Sequence, residues 1–159
     1  MATAFSLPDV PKVQSILGQL FDGLEVKVGG TLDKTPAGGA LFGVFIGDGN
    51  VPVALCGADL SLAASLAAAL SMLPPAAVKE AIETRDLGNV MRENLHEIMN
   101  ICTRLVLDSS SPHLKLDQVY PYKSLPTAAA AILGTTQGHR EFQLQLPRYG
   151  GGVLSLLST

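Results

Sequence analysis

The sequence has no tryptophan, only three tyrosines and five phenylalanines, and aromatics make up 5% of its 159 residues. Its core must therefore be built from Ala, Leu, Val and Ile. Charge is also sparse, at 16% of residues against 47% hydrophobic, which leaves apolar area on the surface and favours self-association. There is no Lys or Arg run, the net charge is −3, and basic residues do not cluster with aromatics, so nucleic acid is not the expected partner. Two cysteines, Cys56 and Cys102, are too few for a disulfide framework, and each sits in an apolar segment. They read as buried free thiols of a reducing compartment.

Other signals are missing too. The Ala/Leu-rich run Leu60–Leu73 is too short to span a bilayer and is interrupted by serine. Met1–Ser6 lacks the basic and apolar regions of a secretory signal. The expectation is a cytoplasmic protein with no membrane partner, and 159 residues suit a single domain, 1–159. No P-loop, dinucleotide fingerprint or Gly-x-Ser-x-Gly elbow is present, so Ser109–Ser111 has no hydrolase context. His96, His113 and His139 are scattered and match no zinc spacing. Asp48-Gly49-Asn50 begins like a calcium loop but lacks the later ligands, and a hairpin turn explains it.

What is present is periodicity. Pro8–Pro11 opens a helix with Asp9 as cap, and Val13, Ile16, Leu17, Leu20 and Phe21 carry it to Gly23. Leu24–Val28 alternates as a half-buried strand. Ala40–Ile46 and Val51–Leu55 form a hairpin around Asp48–Asn50, with Pro52 near a strand end or edge. Helices follow at Leu60–Met72 and Ala76–Thr84, divided by Pro74-Pro75, and then comes a long helix, Leu87–Leu107, with Asp86 as a cap. The Ala-rich Leu60–Met72 helix is expected to pack on its own sheet. After a Ser109–Pro112 loop, strands are predicted at Leu114–Tyr120, Ala128–Leu133, Glu141–Leu146 and Val153–Leu157, with Gly150–Gly152 as the last turn. The order predicts an α+β fold, a largely antiparallel sheet with helices packed on one side. Each half has a helix followed by strands, the outline of an internal duplication.

The long helix holds the most informative pattern. At 100° per residue, Leu87, Met91, Leu95, Ile98, Cys102, Leu105 and Val106 share one side, while Glu93, Glu97, Asn100 and Arg104 share the other. Glu97 and Asn100, three residues apart, are neighbours on the helix surface. An exposed carboxylate can fix a docking register by pairing with a partner's Lys or Arg. An adjacent carboxamide, both donor and acceptor, can hold a water in line with an electrophile. On spacing alone, a merely solvated helix face accounts for the same residues.

Glu97-Ile98-Met99-Asn100 resembles the Glu-x-x-Asn motif of the CheC/CheX/FliY family of chemotaxis phosphatases, and the chain is most similar to the CheX branch. That family carries the motif on an exposed helix, with Asp or Ser four residues earlier and a Pro a little over twenty residues later. Pro121 matches the proline, after a loop one or two residues shorter than the pattern; Glu93 stands at the Asp/Ser position. The first helix has Gln14 and Gln19 but no second motif, so the resemblance implies one site rather than two. It implies a CheX/CheC-like pseudo-duplicated fold that accelerates hydrolysis of the aspartyl phosphate on a CheY-like receiver domain. Glu97 and Asn100 would be catalytic, with Glu93 and Pro121 partner-binding. The protein would have no cofactor of its own, because Mg²⁺ belongs to the receiver, and a homodimer is favoured. The alternative is a non-catalytic binding or scaffold module in signalling, which the Glu93 departure and the shorter loop favour.

Overall fold

A computed structural model describes residues 7–107, 113–134 and 139–158. The anticipated Ser109–Pro112 loop and the N-terminal hexapeptide lie outside them. The described chain runs α1 (Val10–Leu17), β1 (Glu25–Val28), β2 (Leu41–Ile46), β3 (Pro52–Ala58), α2 (Leu60–Leu70), α3 (Ala76–Thr84), α4 (Gly88–Val106), β4 (Lys115–Pro121), α5 (Thr127–Leu133), β5 (His139–Leu146) and β6 (Gly150–Ser158). The six strands form one sheet in the order β1-β5-β6-β3-β2-β4, and every neighbouring pair is antiparallel. This is the α+β architecture anticipated from the sequence.

The strand order carries the duplication that the sequence only outlines. Exchanging β1, β2 and β3 for β4, β5 and β6 reverses the order and leaves it unchanged. One helix, α1 or α4, precedes each set of three strands.

Alternation within the strands separates two cores. Phe45, Ala54, Cys56, Ala58, Phe142, Leu144, Leu154 and Leu156 face α1, α2 and α4. Val44, Ile46, Leu55 and Leu157 face the other way, where Ala129 and Ile132 of α5 cover them. The α2 segment Leu62–Ala68 is fully buried on the chain's own sheet, as anticipated, so its alanines permit close packing within the chain. Cys56 and Cys102 are both buried and free. The neighbouring Cys102 thiol, together with burial, pushes the Cys56 thiol well above the ordinary cysteine range.

Three readings of the sequence change. Ala128–Leu133 is a helix, because four consecutive alanines behind Pro126 favour helix over strand, and periodicity cannot separate the two in so short an apolar run. Among the described residues this puts one helix on the sheet face opposite the other four, where the sequence predicts all helices on one side. Gly150–Gly152 begins β6 instead of forming a turn, and the turn is made by residues 147–149, with Arg148 at φ 74. A Cβ on Gly152 would collide with an Asp59 carboxylate oxygen, so glycine there lets the strand approach the start of α2. Finally, α1 stops at Leu17, although Phe21 stays buried at 4% exposure in the following turn.

Local chemistry supports the remaining elements. Asp9 caps α1 by accepting from Lys12 N at 3.0 Å, and Asp59 caps α2 by accepting from Leu62 N at 2.8 Å. The β2–β3 turn places Gly49 and Asn50 at φ 76 and 60, the left-handed region those residues tolerate best. Among the described residues, no helix is long and apolar enough to cross a membrane.

Candidate functional site on helix α4

Helix α4 is 19 residues long and divides cleanly. Met91, Leu95, Ile98, Met99, Cys102, Leu105 and Val106 are buried, whereas Glu93, His96, Glu97, Asn100 and Arg104 are exposed. Met99 lies outside the stripe that the helix wheel predicts, yet it is buried. It fills the space above Gly43 of β2, where a Cβ would lie 3.2 Å from Met99 Cβ.

Three anchors hold this helix in place. The Asn94 amide donates to Ala67 O at 2.9 Å and to Ser71 Oγ at 2.7 Å, joining α4 to the end of α2. Lys12 Nζ donates to Leu107 O at 2.6 Å, placing a cation at the carbonyl end of α4. At the other end the Asp86 carboxylate accepts from Gly88 N at 3.0 Å and pairs with Arg92 at 2.7 Å. Asp86 thus supplies the anticipated capping contact from one residue outside the N-cap position. The Gly88 N–H bond first, then the Arg92 charge, hold its carboxyl below the ordinary aspartate value.

The polar face is left open. Among the described residues, the side chains of Glu93, Glu97 and Asn100 make no hydrogen bond or ion pair. Glu97 and Asn100 therefore project outward from one face of a fixed helix, with their bonding capacity unspent. Glu93 lies one turn before Glu97 on the same side.

Pro121 is exposed at the end of the edge strand β4, opposite Leu41 of β2. The structure does not join it to the Glu97–Asn100 pair. It lines a cleft of about 730 Å³ between β4 and the first half of α4, together with Leu41, Leu60, Leu87, Leu95 and Val119. Arg92 and His96 form the wall shared with the helix, and His96 is one turn from Asn100 on the exposed side. Asp117, across the cleft, accepts from the Tyr120 hydroxyl at 2.8 Å, and that bond raises the tyrosine's pKa. The cleft was not foreseen. Its trace in the sequence is only the apolar Val119 and Pro121 beside the polar Asp117 and Gln118 of β4.

No group of three or more His, Cys, Asp or Glu able to hold a metal occurs among the described residues.

No family model matches the chain, and no curated protein does either. Solved structures do. The chain is similar to the FliM middle domain of Vibrio alginolyticus. That match has 12% identity and a TM-score of 0.47, covering 93% of this chain and 86% of the other. A CheX–CheY complex from Borrelia burgdorferi, crystallised with BeF3 and magnesium, matches with 14% identity and a TM-score of 0.39, covering 93% and 90%. Thermotoga maritima FliY matches with 12% identity and a TM-score of 0.40, covering 99% and 82%.

Proposed function

We propose that this protein accelerates hydrolysis of the aspartyl phosphate on a CheY-like receiver domain, and that Glu97 and Asn100 carry the activity. The observation behind the reading is the pair itself: two polar side chains with no partner among the described residues, adjacent and outward-facing on a helix anchored at both ends. Its match to the Glu-x-x-Asn motif selects the chemistry.

An acyl phosphate needs no protein nucleophile. A water oxygen attacks phosphorus, the bond from phosphorus to the receiver's aspartyl oxygen breaks, and the aspartate leaves as carboxylate while the water's protons pass to phosphate and solvent. The receiver supplies Mg²⁺ and the phosphorylated residue. Glu97 pairs with a receiver lysine and sets the register, and the Asn100 carboxamide orients the attacking water. Positioning of this kind supplies most of what phosphoryl transfer requires. Glu93 adds negative charge to the docking face, and Pro121 belongs to its margin.

The test is dephosphorylation of a receiver by wild type, Asn100→Ala and Glu97→Ala. Loss of turnover with retained binding is expected for Asn100→Ala, and weakened binding for Glu97→Ala. Equal turnover by all three proteins would refute the assignment. The second reading, a binding module without catalysis, is favoured by Glu93 at the position where the motif has Asp or Ser. Receiver binding without accelerated hydrolysis by the wild type would select it.

A further inference from the structure

We infer that the cleft on the flank of α4, next to the exposed pair, is a second docking site that receives a bulky apolar anchor from the receiver that covers Glu97 and Asn100. The inference rests on the proposed function for the identity of its partner, though not on catalysis.

Shape and lining come first. About 730 Å³ is within the range of binding pockets, and its apolar lining is Leu41, Leu60, Leu87, Leu95, Val119 and Pro121. The charged groups at the mouth are largely engaged. Asp86 is held by Gly88 N and Arg92, Arg85 donates to Ala37 O at 3.0 Å, and Asp117 accepts from Tyr120. A guest therefore meets an apolar lining with few free charges, the setting for an aromatic or long aliphatic anchor.

An added strand is the wrong guest. Across from Gly43 and Phe45 stand Val119 and Leu116, so β4 takes three steps where β2 takes two. The extra residue is a bulge at Asp117 and Gln118, on the stretch of edge that lines the cleft. Bulges of this kind break the regular edge that a new strand would need.

Distance supplies the partner. His96 on the cleft wall and Asn100 are four residues apart on α4, neighbours on its exposed side and about 6 Å apart along the axis. A standard protein interface covers about 800 Å² on each side, a patch about 30 Å across. A receiver seated over Glu97 and Asn100 therefore extends over the cleft mouth, whose near wall is His96.

The experiment follows methyl NMR signals of Leu41, Leu60, Leu87, Leu95 and Val119 during titration with receiver, alongside receiver affinity of Gln118→Trp, which puts a bulky ring at the exposed rim of the cleft. Shifts of the cleft methyls, and affinity reduced at least ~10-fold by Gln118→Trp, are expected. Receiver binding with unmoved methyls and unchanged affinity in the variant would overturn the cleft inference and leave the phosphatase reading intact. Cleft occupancy without accelerated hydrolysis supports the cleft inference and removes only catalysis. Methyl shifts that follow the protein's own concentration rather than the receiver's would mark a second copy as the guest and overturn the inference, as would absence of receiver binding.

Discussion

Gly43 of β2 lies directly beneath Met99 of α4, so close that an added Cβ would stand 3.2 Å from Met99 Cβ and 3.3 Å from a Leu116 methyl. Met99 immediately precedes Asn100. The packing that seats the helix on the sheet therefore also sets the height at which the carboxamide projects.

Gly43→Val should lift α4. Valine favours strands by up to ~1 kcal/mol, but overpacking a closed core costs about 1–3 kcal/mol, and here the overpacking dominates. Chemical denaturation should show a net loss of about 1–2 kcal/mol, with Gly43→Ala affected less. Receiver dephosphorylation should fall further than stability, because small displacements of a positioning group cost rate steeply. A fully stable, fully active Gly43→Val protein would show that this contact does not set the site.

Asp59 holds two backbone groups at once, Leu62 N at 2.8 Å and Val153 N at 3.0 Å. Asp59→Ala removes a helix cap and leaves a strand N–H unsatisfied, a combined cost of about 2–4 kcal/mol in urea unfolding. Asp59→Asn retains an acceptor and should lose much less. Gly152→Ala should resemble Asp59→Ala, because the new methyl would occupy the carboxylate's place.

Asp86 gives the pH dependence a sign. Its folded carboxyl titrates below the ordinary aspartate value because the charged form accepts from Gly88 N and faces Arg92. Its contribution to stability is therefore complete above the unfolded value, about pH 3.9, and disappears as pH falls through the lower folded value. Carboxyl NMR titration should place Asp86 below exposed, unpartnered aspartates. In Arg92→Ala it should return only part of the way, since the Gly88 N–H bond is the larger cause. Complete return would make the ion pair the main influence.

Much of this arrangement is legible in the sequence because it depends on local periodicity. The apolar stripe of α4, the β2–β3 hairpin and the Asp9 cap follow from residue type and spacing, whereas the Asp59 cap emerges only in the structure. Outward projection of Glu97 and Asn100 follows from the helix wheel alone. What escapes is determined between distant segments. Ala128–Leu133 could be strand or helix until the uncovered sheet face of Val44, Ile46 and Leu55 is known. Gly150–Gly152 resembles a turn until Asp59 is seen to need the space. The cleft joins residues from Gly39 to Pro121, and no spacing rule connects them.

The most direct test follows the phosphoryl group on a receiver domain mixed with substoichiometric protein. The expected result is repeated turnover by the wild type, with loss of phosphate several-fold faster than from the receiver alone, and a return to the receiver's own rate in Asn100→Ala while its fold and its receiver binding persist. Wild-type decay no faster than that of the receiver alone would contradict a catalytic role for the exposed pair on α4.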